Sequence, residues 1–371
     1  MIQHERAHHV LLFSTAQVCG GGEVYVEKVA TGLHDRFRMS VLANQRVLDR
    51  IQVPVDKYRL SGFPRKIEQN IRGGYRLKEL YYCLRHGADS ILSQPDVDLV
   101  HFQNYDAYLL KFVVKRLRRQ GIPSVITIHT EFDPERVASK RPRPNDVLEQ
   151  LSAIICVCNA TKENVAKLGV SPEKCHVIYN GVDIRRYVPS TTPGEFVTWI
   201  GRVDERDKNA MLFVHIAELA QRRNLEMRFR IVGDGPLLPS LLTYAERKQI
   251  RNLEFLGWQS DMPRIYSEAR VVCLTSTSEG LPLVAAEAMS SGVPVVATNV
   301  GGIRELIVDD SVGSVVGRTD AADFLQEIYS LFVDDRRYSA VRRGARVRVE
   351  NMFSLDRMLH QVAGLYDELL P

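Results

Sequence analysis

The 371-residue sequence lacks any apolar run close to the roughly 20 residues that a membrane-spanning helix requires. The apolar run near its N-terminus is too short for a secretory signal. Six cysteines are scattered without a CxxC pair, and Cys156 and Cys158 alternate onto one buried face of a predicted strand. These absences predict a cytoplasmic protein whose cysteines lie in the core rather than in disulfides or a zinc site.

The sequence also lacks a strong charge excess and a complete dinucleotide fingerprint. The net charge of +4 is too small to indicate nucleic acid as a partner. Two glycine clusters come near the G-x-G-x-x-G pattern, but Tyr25 and Leu238 stand where the third glycine belongs. A nicotinamide-dependent dehydrogenase is therefore poorly supported.

Two metal-binding patterns occur in unsuitable places. HERAH, residues 4–8, matches the HExxH zinc signature, but it lies in the first residues of the chain, directly before a strand. DVD, residues 96–98, matches an acidic metal-binding triplet, but it reads as the turn into the strand LVHF. Neither pattern predicts a metal, and we expect no cofactor.

Short apolar runs alternate with helical patterns along both halves of the chain, which is typical of a parallel, doubly wound sheet. The first series of predicted strands is HVLLFST, MSVLAN, VDLVHF, SVITIH and AIICVC. After the Pro- and Thr-rich segment 184–195, a second series follows: FVTWIGR, RFRIVGDGP, LEFLGW, VVCLTS, PVVAT and GSVVG. The length of the chain suits two domains.

The predicted fold is therefore α/β, with two Rossmann-like domains that face each other across a cleft. The expected boundaries are 1–185 for an N-terminal domain and 186–353 for a C-terminal domain. Residues 354–371 form an amphipathic helix that we expect to cross back to the first domain. In open sheets of this kind, ligands bind outside the carboxyl ends of the strands.

The segment TSTSEGLPLVAAEAMSSGVPVV, residues 275–296, holds two glutamates eight positions apart. TSEGLP is the predicted turn from a strand into an Ala-rich helix, so Gly280, Leu281 and Leu283 would offer amides at an anion-binding helix end. Glu279 stands beside that end. Glu287 lies on the helix, where spacing alone leaves two alternatives open: it binds ligand hydroxyls, or it faces solvent.

The stretch EGLPLVAAE, continued by AMSSGVPVVATNVGGIRELI, resembles the signature of the retaining nucleotide-sugar transferases of glycosyltransferase family four, which have the GT-B fold. Weaker similarities follow in that family's order: CGGGE, ITIHTEFD, VIYNGVDIRRY, WIGRVDERDK, RIVGDGP and LEFLGWQSDMPRIYSEARVVCLTSTSEG. Together they cover most of residues 9–357. The resemblance implies that domain 1–185 binds the acceptor and that domain 186–353 binds the nucleotide sugar.

The resemblance implies roles for particular residues. Glu279 would hold hydroxyls of the donor sugar, and Glu287 would hold the ribose. Arg202 and Lys208 would neutralise the diphosphate. The remaining implied contacts are backbone amides of 280–283 on phosphate and sugar, His129 beside the transferred sugar, and Gly20 and Gly21 in a loop that approaches the donor.

Each implied role has a simpler alternative. His129 could be a structural histidine at a strand end, residues 20–22 a plain turn into a helix, and Arg202 and Lys208 surface charges. The basic residue after GR usually comes one position sooner in the family, so Arg206 is a rival to Lys208. We favour Lys208, because a helix-like run begins directly after it. Asn159 also stands where a serine is common.

The implied activity is the transfer of a sugar from a nucleoside diphosphate sugar, UDP-linked by analogy, to an acceptor hydroxyl with retained configuration and without a metal. A GT-B sugar phosphorylase and a nucleotide-sugar epimerase are alternatives, as is a non-enzymatic nucleotide-sugar-binding regulator. The acceptor stays open between a glycan, a lipid-linked molecule and a small molecule. The basic segment KFVVKRLRRQG, residues 111–121, permits weak peripheral membrane contact or simple packing on the sheet.

Overall fold

The structure is a computed structural model that describes residues 7–14, 21–59, 96–103, 105, 107–129, 143–204, 207–317 and 320–371. The chain divides into two compact units. Unit 1 comprises Met1–Ile178 with Met358–Pro371, and unit 2 comprises Tyr179–Arg357. Within the described ranges, no helix has the length and apolar composition needed to cross a bilayer.

Unit 1 is built on a seven-stranded parallel sheet with the order β3-β2-β1-β4-β5-β6-β7. Its strands are β1 (His9–Phe13), β2 (Arg38–Ala43), β3 (Asp56–Arg59), β4 (Leu99–Phe102), β5 (Ser124–Ile128), β6 (Ala153–Cys156) and β7 (Cys175–Val177). The central strands are buried on both faces and consist mostly of Val, Ile, Leu and Phe, as a sheet covered by helices requires.

The helices of unit 1 include α1 (Gly21–Leu33), α2 (Gln45–Leu48), α3 (Ala107–Arg119), α4 (Pro144–Leu148) and α5 (Asn159–Lys167). Helix α3 buries Leu110, Val113, Val114 and Leu117 in the core formed with β4, β5 and β6. These four apolar side chains are therefore explained by packing within the unit. Cys156, Cys158 and Cys175 are buried thiols outside any disulfide, as predicted for core cysteines.

Unit 2 is built on a six-stranded parallel sheet with the order β10-β9-β8-β11-β12-β13. Its strands are β8 (Phe196–Ile200), β9 (Arg228–Val232), β10 (Leu253–Gly257), β11 (Ala269–Leu274), β12 (Val295–Thr298) and β13 (Ser314–Val316). Five of the six strands lie within the segments that the sequence predicted, and β11 begins two residues before its segment VVCLTS. The two Rossmann-like units confirm the predicted fold class.

Eight further helices complete the described chain: α6 (Ala210–Arg222), α7 (Leu238–Arg247), α8 (Met262–Glu268), α9 (Leu283–Ser290), α10 (Ile303–Leu306), α11 (Ala321–Val333), α12 (Asp335–Met352) and α13 (Leu355–Leu369). From Met358 onward α13 belongs to unit 1. Gly32 of α1 allows α13 to approach, because a Cβ there would lie 2.2 Å from Cδ1 of Leu359.

A buried polar chain joins α13 to the sheet of unit 1. The Tyr366 hydroxyl hydrogen-bonds to Nδ1 of His101, and Nε2 of His101 lies 2.7 Å from Oγ1 of Thr127. Burial lowers the pKa of His101 to about 3, and the neighbouring His129 contributes in the same direction. The imidazole is therefore neutral near pH 7, and both of its nitrogens are used in structural hydrogen bonds.

Candidate functional site

In the sheet of unit 2, the strands that follow β8 along the chain, β9 and β10, lie on one side of it, and the next three, β11 to β13, lie on the other side. The parallel neighbours β8 and β11 therefore mark the point at which the strand order switches. Ligands of open parallel sheets bind outside the carboxyl ends of the strands at such a point. Gly201 and Arg202 directly follow β8, and the segment 275–282 directly follows β11. The sheet topology thus brings the two segments that the sequence singled out to one edge.

Lys208 and Glu279 are in direct contact at this edge. Lys208 Nζ donates to Oε1 of Glu279 at 2.5 Å, and the Ser276 hydroxyl donates to the same oxygen at 2.7 Å. The Glu279 side chain is 9% exposed and that of Lys208 is 24% exposed. A carboxylate this deeply buried requires a paired charge, which Lys208 supplies. Both contacts fall on Oε1, so among the described residues Oε2 retains its capacity to accept.

A second set of contacts holds Lys208 in place. Oγ1 of Thr275 lies 3.0 Å from the Lys208 carbonyl oxygen and 2.9 Å from that of Asn209, and Trp199 Nε1 donates to Thr275 Oγ1 at 3.0 Å. The Thr277 amide donates to the Asp207 carbonyl oxygen at 2.7 Å. These hydrogen bonds fix the loop before α6 to the end of β11. The backbone that carries Lys208 is therefore held close to Glu279.

Helix α9 begins at Leu283 directly after the Glu279 loop. Its N-cap residue is Pro282, and no side chain caps its first turn. The first amides of a helix have no partner within the helix, and the helix dipole adds partial positive charge there. Gly280 and Leu281 lie in the turn before this end, as predicted, and both are buried. The arrangement is suited to an anion such as a phosphate.

The turn at Glu279 depends on a glycine that the sequence analysis did not single out. Gly301 has φ +53°, and a Cβ at this position would lie 1.9 Å from the Glu279 carbonyl oxygen. The next residue, Gly302, donates its amide to the Gly280 carbonyl oxygen at 2.8 Å. Its signal in the sequence was the GG pair in VATNVGGI, which marks a close approach of two backbone segments.

Arg202 lies half-exposed after β8, with its guanidinium 3.7 Å from the carboxylate of Asp204. The position of Arg202 at the carboxyl edge of β8 matches the expectation for a phosphate-binding residue. Its rival in the sequence, Arg206, lies outside the described residues. The choice between Lys208 and Arg206 therefore stays a prediction, although the contact with Glu279 now gives Lys208 a defined place.

Glu287 lies on α9, half-buried and in contact with tyrosines. The Tyr266 hydroxyl donates to its Oε2 at 2.9 Å. Burial and then the neighbouring charge of Glu287 raise the pKa of Tyr187. Of the two alternatives that the spacing left open, a freely solvated carboxylate does not fit these contacts. Neither tyrosine was predicted to lie near Glu287, because each is far from it along the chain.

In unit 1, His129 follows β5 at the carboxyl edge of the sheet. Its Nε2 lies 3.3 Å from Oε1 of Gln103, and its ring meets that of Tyr25 edge-to-face at 5.0 Å. A Cβ at Gly22 of α1 would lie 3.5 Å from His129 Cδ2, so the start of α1 passes close to the ring. Burial lowers the pKa of His129 to about 4, which makes it a neutral hydrogen-bonding group near pH 7.

Only one of the two predicted loop glycines belongs to the described residues. Gly21 begins α1, and Gly20 lies outside the described residues. Their approach to a donor stays a prediction.

The acidic triplet is used structurally. Asp98 Oδ2 accepts the His9 backbone amide at 2.7 Å, and Asp96 has φ +61°, as expected for a turn into β4. Within the described ranges, no group of three or more His, Cys, Asp or Glu side chains is arranged to hold a metal ion.

Comparisons with known proteins identify the family of the chain. A family model described as Glycosyltransferase Family 4 matches residues 19–186, and one described as Glycosyl transferases group 1 matches residues 194–334. The chain is 28% identical over 306 residues to the UDP-Gal:alpha-D-GlcNAc-diphosphoundecaprenol alpha-1,3-galactosyltransferase of Escherichia coli, covering 76% of this chain and 78% of that one. It is 26% identical over 320 residues to the D-inositol 3-phosphate glycosyltransferase of Salinispora tropica, covering 76% and 66%.

Solved structures show the same fold. The crystal structure of Anabaena HepE in complex with UDP-glucose matches with a TM-score of 0.80 at 18% identity, covering 97% of this chain and 99% of that one. The lipopolysaccharide outer core galactosyltransferase WaaB matches with a TM-score of 0.71 at 16% identity, covering 97% and 99%. With two family models that together span most of its length and glycosyltransferases among its relatives, this chain belongs to the family-4-like glycosyltransferases.

Proposed function

We propose that this glycosyltransferase moves a sugar from a UDP-linked donor to an acceptor hydroxyl, with retained configuration and without a metal. The observation that carries the proposal is the buried contact between Lys208 and Glu279 beside the uncapped end of α9. This contact puts a cation, a carboxylate and a helix N-terminus at one edge of one sheet. A sugar diphosphate presents the complementary groups, which are hydroxyls next to an anion.

The diphosphate is the part of the donor that gains charge when the sugar leaves. Lys208, Arg202 and the first amides of α9 would stabilise that charge, because preorganised donors act strongly where water is excluded. Protein groups would thus supply the charge neutralisation that a divalent cation supplies elsewhere. This is the basis on which we propose that no metal is needed.

Glu279 would bind the sugar through Oε2, while Oε1 stays with Lys208 and Ser276. In this arrangement the lysine has two roles, since it neutralises the carboxylate and faces the leaving phosphate. Glu287 would accept the ribose hydroxyls. His129, neutral at working pH, would contact the transferred sugar by hydrogen bonding rather than by charge.

The choice of UDP is supported by the HepE complex with UDP-glucose and by the UDP-Gal in the name of the Escherichia coli relative. Retention rests on the resemblance of the 279–308 segment to the retaining family. For the acceptor, the same Escherichia coli relative acts on a diphosphoundecaprenol-linked sugar and the Salinispora tropica relative on inositol 3-phosphate. A lipid-linked sugar, a glycan and a small alcohol are therefore the classes to offer. No relative named above is a phosphorylase or an epimerase.

The test is a thermal-shift and turnover screen of the whole chain. We expect UDP to stabilise the protein more than GDP, ADP or dTDP, and a UDP-sugar to release UDP when an acceptor of one of these classes is added. Treatment with EDTA should leave the rate unchanged. Dependence on Mn²⁺ or Mg²⁺, or sugar phosphate formed from inorganic phosphate, would contradict the proposal. The Glu279→Gln variant is the matched negative control.

A further inference from the structure

A single buried hydroxyl group holds two successive peptide groups of the loop that carries Lys208. Thr275 directly follows β11 and is fully buried. Its Oγ1 lies 3.0 Å from the carbonyl oxygen of Lys208 and 2.9 Å from that of Asn209. A hydroxyl has one hydrogen to donate, so the two carbonyl groups share it. The backbone on both sides of the Lys208 Cα–C bond is therefore tied to the end of β11.

The Thr275 hydroxyl has its own direction fixed by a tryptophan. Trp199 of β8 is 2% exposed, and its Nε1–H donates to Thr275 Oγ1 at 3.0 Å. An indole N–H can only donate, so the Thr275 hydrogen points away from it, toward the two carbonyl groups. The tryptophan also borders the lysine, because a Cβ at Gly201 would lie 3.1 Å from Trp199 Cη2 and 3.6 Å from Lys208 Cγ. The stem of Lys208 thus lies against the backbone of Gly201.

The loop before α6 has a backbone conformation that needs such support. Asn209 lies in the left-handed region, with φ +46° and ψ +52°, and its side chain makes no capping hydrogen bond to α6. Residues other than glycine adopt this region at a cost and persist there where the surrounding structure holds them, often at functional sites. The Thr277 amide also donates to the Asp207 carbonyl oxygen at 2.7 Å. The segment 275–277 therefore holds three successive carbonyl groups, 207–209.

A second buried threonine on the same pair of strands shows what a threonine does there without such contacts. Thr198 of β8 is fully buried and lies opposite Val272 of β11. Among the described residues its Oγ1 has no hydrogen-bond partner. Thr198 thus contributes volume to the core, whereas the Thr275 hydroxyl connects Trp199 to the loop of Lys208.

We propose that Thr275 is a positioning residue for turnover, because its hydroxyl, oriented by Trp199, fixes the backbone of Lys208. The ammonium group is thereby kept at Glu279, where it faces the leaving diphosphate. The inference rests on the proposed function, in which Lys208 stabilises that diphosphate. A preorganised cation needs no rearrangement as charge develops, so displacing it without removing it should slow the chemical step. Thr275 acts in this way without touching the substrate.

The first measurement compares variants of Thr275 in the whole chain, with turnover followed as UDP released from the fastest UDP-sugar of the screen above. Thr275→Val removes the hydroxyl and keeps the volume, so kcat should fall about 10-fold while KM for the donor changes less than about 2-fold. Thr275→Ser keeps the hydroxyl and should restore kcat to within about 3-fold of wild type. Trp199→Phe removes the N–H that orients the hydroxyl, and its kcat should lie between those of the two Thr275 variants.

Thr198→Val is the matched control, since it makes the same change at a buried threonine whose hydroxyl has no partner in the described part of the chain. It should leave kcat at the wild-type value. Its melting temperature should not fall, because an unpaired buried hydroxyl costs stability that an apolar group of the same shape does not. A loss of kcat equal to that of Thr275→Val would show that any change of shape between β8 and β11 slows the enzyme, and the positioning role would be overturned.

A double-mutant cycle decides whether Thr275 acts through Lys208. In the Lys208→Ala background, Thr275→Val should change kcat less than about 2-fold, because no lysine is left to position. A further loss of about 10-fold there would mean that the threonine supports the fold in general, which overturns the inference and leaves the proposed function standing. An unchanged kcat of Thr275→Val alone would overturn the inference as well.

The cycle stays decisive when a variant is unstable or when the lysine itself is silent. Should Thr275→Val fail to fold, the same cycle is measured with Trp199→Phe, which keeps the threonine in place. Should Lys208→Ala turn over at the wild-type rate, the role proposed for that lysine fails, and this inference fails with it.

Discussion

The two sheets share one topology but differ in what lies at their carboxyl edges. In unit 2 the edge is charged and paired, with Lys208 on Glu279 and Arg202 near Asp204. At the corresponding edge of unit 1, the described group centred on His129 is neutral, with His129 beside Gln103 and Tyr25. Burial keeps His129 neutral near pH 7 by lowering its pKa to about 4.

The difference shows that one fold can carry two kinds of side-chain chemistry at its strand ends. A charged edge with a helix N-terminus suits a diphosphate, while a neutral hydrogen-bonding edge suits uncharged hydroxyl groups. The fold supplies only the geometry at the strand ends, and the side chains there decide the chemistry. Changes to the charged edge should therefore affect turnover far more than changes to the neutral edge.

The largest effect is expected at Lys208. Lys208→Ala removes a preorganised cation from the leaving diphosphate, so kcat should fall by about two to three orders of magnitude. The melting temperature should also fall, because Glu279 is left buried without its partner. Steady-state kinetics and thermal unfolding of the same preparation measure both. The matched variant is Arg206→Ala. A large loss there, with Lys208→Ala close to wild type, would transfer the phosphate-binding role to Arg206.

The two glutamates should fail in different ways. Glu279 would touch the sugar ring as it gains positive charge, so Glu279→Ala should lower kcat about 100-fold, the scale of losing one transition-state contact. Glu287 would touch the ribose, which does not react, so Glu287→Ala should weaken nucleotide binding roughly 10-fold to 100-fold with a smaller change in kcat. Kinetics with a UDP-sugar and calorimetry with UDP separate the effects. Normal turnover of Glu279→Ala would remove that residue from the catalytic set.

A smaller effect is expected when the pH is lowered, and it concerns the stability contributed by two histidines of unit 1. Burial lowers the pKa of His101 to about 3 and that of His129 to about 4, below the ordinary value near 6.5. The unfolded chain then binds more protons than the folded one between about pH 6.5 and pH 4. The stabilisation is therefore full above about pH 6.5 and is lost as the pH falls, roughly 10-fold in the unfolding equilibrium constant per pH unit for each histidine.

His101→Asn tests this assignment, because it removes one of the two histidines named above from the folded core. Urea unfolding between pH 7 and pH 5 should give wild type a steeper loss of stability than the variant, by close to one proton. Equal slopes would mean that His101 does not titrate between the folded and unfolded states. Above pH 5 the ionisation of His129 should contribute nothing to the pH dependence of turnover.

The sequence predicted the fold well wherever strands are central and apolar. Every predicted strand corresponds to one in the structure, but β3 (DKYR) and β7 (CHV) were missed. Both are edge strands, so each is paired on one side only and neither needs the apolar run that identifies a central strand. The apolar run therefore identified the central strands and did not identify these two edge strands.

The sequence indicated candidate residues for the site but not the contacts between them. The family-like signature indicated Glu279, Glu287 and Lys208, yet nothing in the local sequence pairs Lys208 with Glu279, 71 residues later. Tyr266 and Glu287 are likewise brought together only because α8 and α9 flank β11. Such contacts depend on the order of the strands and helices in the sheet. The hydrophobic periodicity of the sequence predicts a parallel sheet but does not predict that order.

The smallest effect is expected at α3, where the sequence left membrane contact open. The structure buries the apolar residues of the helix in unit 1 and leaves Lys115, Arg116, Arg118 and Arg119 exposed with Phe112, which is 41% exposed. Insertion of an apolar face is thereby ruled out for this helix as folded.

Basic residues near an anionic surface contribute up to about 1 kcal/mol each and are screened within about 10 Å at 0.1 M salt. We therefore expect weak flotation with anionic liposomes at low salt that disappears near physiological salt, and no flotation of a Lys115→Glu, Arg118→Glu variant. Flotation that survives high salt would require apolar insertion somewhere else in the chain, and sedimentation at low salt would mean that these charges only keep the helix in water.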